Sequence, residues 1–176
     1  MIHHLTPPIS NDEIKSLKSG DQVLLTGTIY TARDAAHARL LKEEEMPFNI
    51  DGAVIYYVGP TPARDGEVIG AAGPTSSYRM DELAVPLMEQ GLKMMIGKGD
   101  RSETFREEMI KNNAVYLIAT GGAGALLASK IKKRTLVKYE DLGPEAIYEL
   151  EVENFPCFVA YDVQGNNLFK RSQTHE

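Results

Sequence analysis

Three short polar segments of this 176-residue sequence carry side chains able to bind a small anion and act on it. The longest is Gly73-Pro74-Thr75-Ser76-Ser77-Tyr78-Arg79-Met80-Asp81. Gly73 frees the backbone of Cβ clashes, and Pro74 fixes φ and removes a competing N–H. Thr75, Ser76 or Ser77 can cap a helix predicted over Met80 to Lys93, and Asp81 falls in its first turn, where negative charge is favoured. Such a helix start is a carboxylate or phosphate site. Arg79 adds a planar fork that takes a carboxylate with two N–H groups. An ordinary capped turn is the plainer reading of this spacing, so the weight falls on the other two segments.

Arg33-Asp34-Ala35-Ala36-His37 directly follows a predicted strand that ends near Thr31. Gly97-Lys98-Gly99-Asp100-Arg101-Ser102 directly follows Met94-Met95-Ile96. Ligands of open α/β sheets bind beyond the carboxyl ends of strands, which is where all three segments can converge. Two arginines, a lysine and a hydroxyl suit a small dianion. Each also has a plainer role. Arg33 and Asp34 can be a solvated pair, and His37 fits a supporting or surface role better than a general base. Lys98 can sit in a surface turn, although glycines on both sides permit close approach to a ligand. Gly121 to Gly124 lacks the spacing of a phosphate-binding loop and suits close helix–strand packing. Cys157, between Pro156 and Phe158, reads as a buried structural thiol.

The elements that must hold these segments alternate between strand and helix. Residues 1–9 look extended, and Ser10-Asn11-Asp12-Glu13 is a capping box opening a short helix to Leu17. Asp21 to Thr31, Ala53 to Val58, Met94 to Ile96 and Ala114 to Ala119 read as strands, with a further short strand at Val68-Ile69. Helices are predicted over Ala32 to Lys42, from Ser102 to about Asn112, and after Gly124. Arg134 to Tyr139, Ala146 to Val152 and Phe158 to Val163 read as later strands, and Leu168-Phe169 as a hairpin arm. Ser172 to Glu176 should fray. The pattern predicts one compact α/β domain over residues 1–176, with a mixed sheet.

Composition narrows the function. A net charge of −6 leaves no basic surplus for nucleic acid. No apolar run approaches the ~20 residues needed to span a bilayer, and the first residues do not follow a signal-peptide pattern, so the chain reads as cytoplasmic. The single cysteine cannot by itself hold zinc or an iron–sulfur cluster, so no metal ligands are assigned here.

The motifs, in this order, resemble one family. They are Gly27-Thr28-Ile29-Tyr30-Thr31-Ala32-Arg33-Asp34-Ala35-Ala36-His37, Tyr57-Val58-Gly59-Pro60, the Gly73–Asp81 loop and Gly97-Lys98-Gly99-Asp100-Arg101-Ser102. Ala119-Thr120-Gly121-Gly122-Ala123-Gly124-Ala125-Leu126 and Phe155-Pro156 complete them. The chain resembles the β subunit, equivalent to the C-terminal domain, of iron–sulfur class I fumarate hydratases and L-tartrate dehydratases. The resemblance implies a swivelling β/β/α domain packed over an α subunit, in a hetero-oligomer. Three cysteines of that partner would hold a [4Fe–4S] cluster with one open iron, a Lewis acid for the substrate's hydroxyl and carboxylate. It implies Thr75 as the catalytic residue that helps abstract the C3 proton. Arg33, Arg79 and Lys98 would bind the carboxylates, with Asp34, His37 and Ser76 in supporting positions. A bare hydroxyl is too weak a base alone, so Thr75 needs an activating neighbour, expected as a carboxylate of the partner. Tyr78 is bulkier than the small residue common at its position in the family.

The first expectation is thus reversible hydration of fumarate to (S)-malate. The same scaffold acting on L-tartrate is the alternative, and a non-catalytic dicarboxylate-binding module is a third.

Overall fold

The structure, a computed structural model, describes residues 1–119 and 124–171. Its strands are β1 (Ile2–Leu5), β2 (Gln22–Thr31), β3 (Val54–Tyr56), β4 (Met94–Gly97), β5 (Val115–Ile118), β6 (Ile131–Lys138) and β7 (Ile147–Tyr161). The helices are α1 (Asn11–Ser16), α2 (Asp34–Leu40), α3 (Asp81–Glu89), α4 (Glu103–Lys111), α5 (Gly124–Ser129) and α6 (Leu168–Arg171). The sheet order is β1-β2-β3-β4-β5-β7-β6, and β7 also pairs with β2. The ring β2-β3-β4-β5-β7 therefore closes on itself. β1 to β5 run parallel, and β7 is antiparallel to β2, β5 and β6. This is the mixed-sheet α/β domain that the sequence predicts.

The alternation of strand side chains makes two cores. Val54 and Tyr56, Met94 and Ile96, Val115 and Leu117 point inside the ring with Val23, Leu25, Phe155, Cys157 and Val159. Ile55 and Tyr57, Met95 and Tyr116 point outward, where Ala36, Leu40, Ala84, Leu87, Phe105 and Met109 of α2, α3 and α4 cover them. Both faces are covered, so β3 to β5 read as continuous apolar runs. The result is layered: a folded-over sheet under one helical layer.

Several elements depart from the sequence expectations. Ala146–Val152 and Phe158–Val163 are not two strands but parts of one, β7. Its first part lies between β2 and β6 and its last part between β2 and β5. The bend falls at Asn154, in the left-handed region at φ 50°, opposite a register shift between Leu25 and Gly27. Pro156 follows, past the last pairing with β6 and before the first with β5, where one side of the strand is unladdered. Leu168-Phe169 is no hairpin arm but opens α6, because the Asn167 side chain accepts from Phe169 N–H at 2.9 Å. Val68-Ile69 forms no strand. The capping box holds: Ser10 Oγ accepts from Glu13 N–H, and Glu13 Oε1 accepts from Ser10 N–H, both at 3.1 Å. The expected fraying of Ser172–Glu176 and the glycines at 121 and 122 lie outside the described residues.

Candidate active site

The carboxyl ends of β2, β3 and β4 lie side by side, and each delivers one polar segment. β2 is followed by Arg33, which takes the N-cap position of α2 with an extended backbone. β4 is followed by Lys98, which is exposed. β3 is followed by Tyr57, whose backbone carbonyl anchors the Gly73–Asp81 loop. It accepts from Thr75 N–H at 2.9 Å and from Thr75 Oγ1 at 3.2 Å. The loop then runs beside β4 as an isolated parallel bridge between Ser76 and Lys98. Lys98 N–H donates to Thr75 O at 3.3 Å, and Ser77 N–H donates to Lys98 O at 3.1 Å. Thr75, Ser76 and Lys98 are thereby neighbours on one rim.

The arginines join that rim through Asp34. Arg79 Nη1 lies 3.7 Å from Asp34 Oδ2, and Arg33 Nε lies 4.0 Å from Asp34 Oδ1 and 3.3 Å from Glu145 Oε1. Arg33 is held from below by Gly59: a Cβ there would sit 2.8 Å from Arg33 Nη1. The structure thus brings together six of the seven expected residues, Arg33, Asp34, Thr75, Ser76, Arg79 and Lys98, with three cations at one edge.

His37 stands behind them. It is fully buried, and its Nδ1–H donates to the Arg33 carbonyl at 2.7 Å. Its ring meets the Tyr57 ring edge-on at 5.6 Å. Burial pulls its pKa down to about 4, and the Arg101 charge pushes the same way against the Arg33 carbonyl. The imidazole is neutral and out of reach of a ligand on the rim. It fixes the backbone of Arg33.

The hydroxyls do not do what local sequence predicts. The chain first makes a 3₁₀ turn over Tyr78–Met80, and α3 begins at Asp81 and ends at Glu89, short of Lys93. No hydroxyl caps it; Met80 takes the N-cap position. Thr75 bonds the Tyr57 carbonyl instead. Ser77 Oγ accepts from Lys98 N–H at 3.1 Å and bonds Tyr116 Oη at 2.9 Å. Asp81 takes Arg101 Nε and Ser102 N–H rather than serving only the helix dipole. Sequence reading also missed Glu145 and Arg101. Their signal was weak: Glu145 is a surface-type charge far from the motifs, and Arg101 lies within one with nothing in its type to mark it as buried.

Cys157 is buried in β7, and burial pushes its thiol pKa up; its Sγ faces the Val23 carbonyl at 3.5 Å. Among the described residues, no three His, Cys, Asp or Glu side chains gather as a metal-holding group. The described residues do not fit an iron–sulfur cluster. No described helix is long and apolar enough to cross a membrane.

The model of a protein family described as the fumarase C-terminus matches residues 2–172. The aerobic class I fumarate hydratase of Salmonella typhimurium is 40% identical over 158 residues, 86% of this chain. The chain spans only 27% of that relative's length. The L(+)-tartrate dehydratase subunit beta of Escherichia coli K12 is 32% identical over 175 residues, covering 96% of this chain and 87% of its own length. The match to the family model spans both parts of the rim, and on it the chain belongs to the fumarase C-terminus family.

Proposed function

We propose that this chain is the β subunit of a heteromeric hydro-lyase that adds water to fumarate to give (S)-malate, and reverses the reaction. The observation that carries the reading is the rim itself: Arg33, Arg79 and Lys98 around one hydroxyl, Thr75. Three cations suit the two carboxylates of a C4 diacid. Arg79 and Lys98 take one carboxylate and Arg33 the other, which sets the C2–C3 bond across Thr75. Asp34 and Glu145 hold the guanidinium groups in place until substrate carboxylates displace them. In the dehydration direction Thr75 Oγ1 takes the C3 proton while its own hydroxyl proton passes to a carboxylate of the α subunit, so the oxygen never carries two protons. The Tyr57 carbonyl, to which the resting hydroxyl donates a hydrogen bond, orients it. We assign a [4Fe–4S] cluster to the α subunit and place the complex in the cytoplasm, whose reducing conditions suit such a cluster. No step by this chain's own residues runs through the cluster.

L-tartrate is the alternative substrate. It is favoured by the match along 87% of a relative named as a tartrate dehydratase β subunit. Anaerobic co-expression with an α subunit, followed by absorbance assays on malate and on L-tartrate, decides between them. A site that hydrogen-bonds the second hydroxyl rejects the acid lacking it by ~10⁴-fold or more. Activity of the complex on malate, absent from the isolated chain, supports the main reading. No complex and no activity on either acid, with tight dicarboxylate binding by the isolated chain in calorimetry, points instead to a binding module. Arg79→Ala should lower kcat/KM by ~10-fold or more, the worth of a charge-assisted hydrogen bond. A loss under about threefold removes Arg79 from the site by the same measure.

A further inference from the structure

Beneath the rim lies a charge that no ligand on the rim would touch. The side chain of Arg101 has 0% of its surface exposed. Its Nε pairs with Asp81 Oδ1. The Phe105 ring centroid lies 3.6 Å from its Cζ, that of Tyr116 4.9 Å and that of Tyr57 5.3 Å. Among the described residues, Nη1 and Nη2 make no hydrogen bond of ordinary geometry. Desolvating such an ion costs several kcal/mol, and one carboxylate seldom offsets that better than an apolar side chain would. Folding alone therefore gives a poor account of this arginine.

Its connections give a better one. Asp81 closes the loop that carries Thr75 and Arg79, and Arg101 closes the loop that carries Lys98. The second oxygen of Asp81 accepts from Ser102 N–H at 2.8 Å, and Arg101 N–H donates to Tyr161 Oη at 2.6 Å. Tyr116 Oη lies 2.9 Å from Ser77 Oγ and donates to the Gly99 carbonyl at 2.8 Å, tying the same two loops from the sheet. The Tyr57 ring beside Arg101 also meets His37, which holds Arg33, while the Tyr57 carbonyl holds Thr75. Every rim residue is within a few contacts of this one buried guanidinium.

We propose that Arg101, with Asp81, is the positioning pair of the site, locking the Thr75–Arg79 loop to the Lys98 loop. The kinetic side of this rests on the function proposed above; the coupling of the loops does not. The test is the double variant Arg101→Met/Asp81→Asn in the full chain. It fills the guanidinium's space and keeps an acceptor for Ser102 N–H. Amide hydrogen exchange is read at Thr75, Ser77 and Lys98, with Met95 in β4 as the internal control. Exchange at the three loop amides should speed at least tenfold, with Met95 unchanged. In the active complex, kcat/KM should fall at least tenfold, with KM raised. Unchanged loop exchange in a folded variant overturns the proposal, and so does faster exchange with KM unmoved. If the double variant does not fold, Tyr116→Phe, which removes only the bridging hydroxyl, takes the same two readings. An inactive wild-type complex would sink the proposed function, while the exchange arm would still decide the coupling.

Discussion

Between pH 7.5 and 5, acid should weaken this fold chiefly through His37. An imidazole that titrates near 6.5 in the unfolded chain titrates at about 4 here, because protonating it means burying an unsolvated cation near Arg101. The folded pKa is depressed, so the unfolded chain takes the proton first. The His37 contribution is full above pH ~6.5, is lost as pH drops towards 4, and levels off below. The gap between 6.5 and about 4 corresponds to about 3 kcal/mol at most. By pH 5 about 2 kcal/mol of it should be lost relative to pH 7.5. For a chain of this size that lowers Tm by roughly 4–8 °C. The assay is urea unfolding at the two pH values, wild type against His37→Asn, whose amide can still donate to the Arg33 carbonyl. The variant is less stable at both values because it loses packing, but its stability should change with pH by at least 1 kcal/mol less than wild type. NMR titration should find the His37 ring neutral at pH 5.5. An equal pH response in the two proteins, or a ring that protonates near pH 6.5, refutes the reasoning.

The two glycines that flank Lys98 should differ in what an added methyl costs. A Cβ on Gly97 would fall 1.8 Å from Ser77 Oγ, so Gly97→Ala must push the Thr75 loop off β4. It should cost ~3 kcal/mol or more by overpacking, with a matching loss of turnover, as urea unfolding and the coupled assay would read. Gly99 has φ +83° and open space around its Cβ, so Gly99→Ala should cost only the ~1–2 kcal/mol of a left-handed backbone. At Gly59 the added methyl meets the far end of a flexible side chain, Arg33 Nη1. Gly59→Ala should therefore leave Tm within a few degrees while raising KM severalfold, and an unchanged KM would take Arg33 off the rim.

Much of this was legible in the sequence because it is local. Strands β3, β4 and β5 are short all-apolar runs, which is what burial on both faces demands. The Ser10–Glu13 box needs only four residues to be recognised. What failed was tertiary. Asn154-Phe155-Pro156 reads as a break between strands, yet β7 passes through it by bending, because β2 offers a matching irregularity some 130 residues earlier in the chain. The hydroxyls at 75–77 read as helix caps, yet Thr75 bonds the Tyr57 carbonyl after β3, and Ser77 bonds Lys98 N–H after β4 and Tyr116 Oη in β5. Asp81 reads as a first-turn charge of a helix and Arg101 carries no role of its own; that the two, 20 residues apart, pair in the interior cannot be read from residue type. A usable signal was present: Tyr57, Tyr116 and Tyr161 sit in apolar runs, and a buried phenol calls for a polar partner close by.

On the proposed function, the surroundings of Thr75 explain why half an active site can be so well ordered. Its hydroxyl proton is directed at a backbone carbonyl, which cannot accept that proton outright, so no base strength arises within the described residues. What they supply is direction. A carbonyl at the end of β3 sets the Oγ1 position, the Ser76–Lys98 bridge fixes the loop, and Asp34 and Glu145 hold the guanidinium groups. Order of this kind is built before substrate arrives, and preorganised donors lower a barrier more than mobile ones do. It also divides the labour. A chain that fixes the positions of cations and a hydroxyl needs rigid strand ends and buried ties. On the proposed function, the partner that would supply the base and the cluster needs cysteines and a carboxylate facing this rim. Replacing Thr75 by Ser keeps the hydroxyl and the Tyr57 contact but frees χ1 from its branched methyl. It should retain activity within about tenfold of wild type, whereas Thr75→Ala should lose ~10²-fold or more, the range of a proton-transfer group. Equal losses in the two variants would mean that the methyl, not the hydroxyl, is what the site uses.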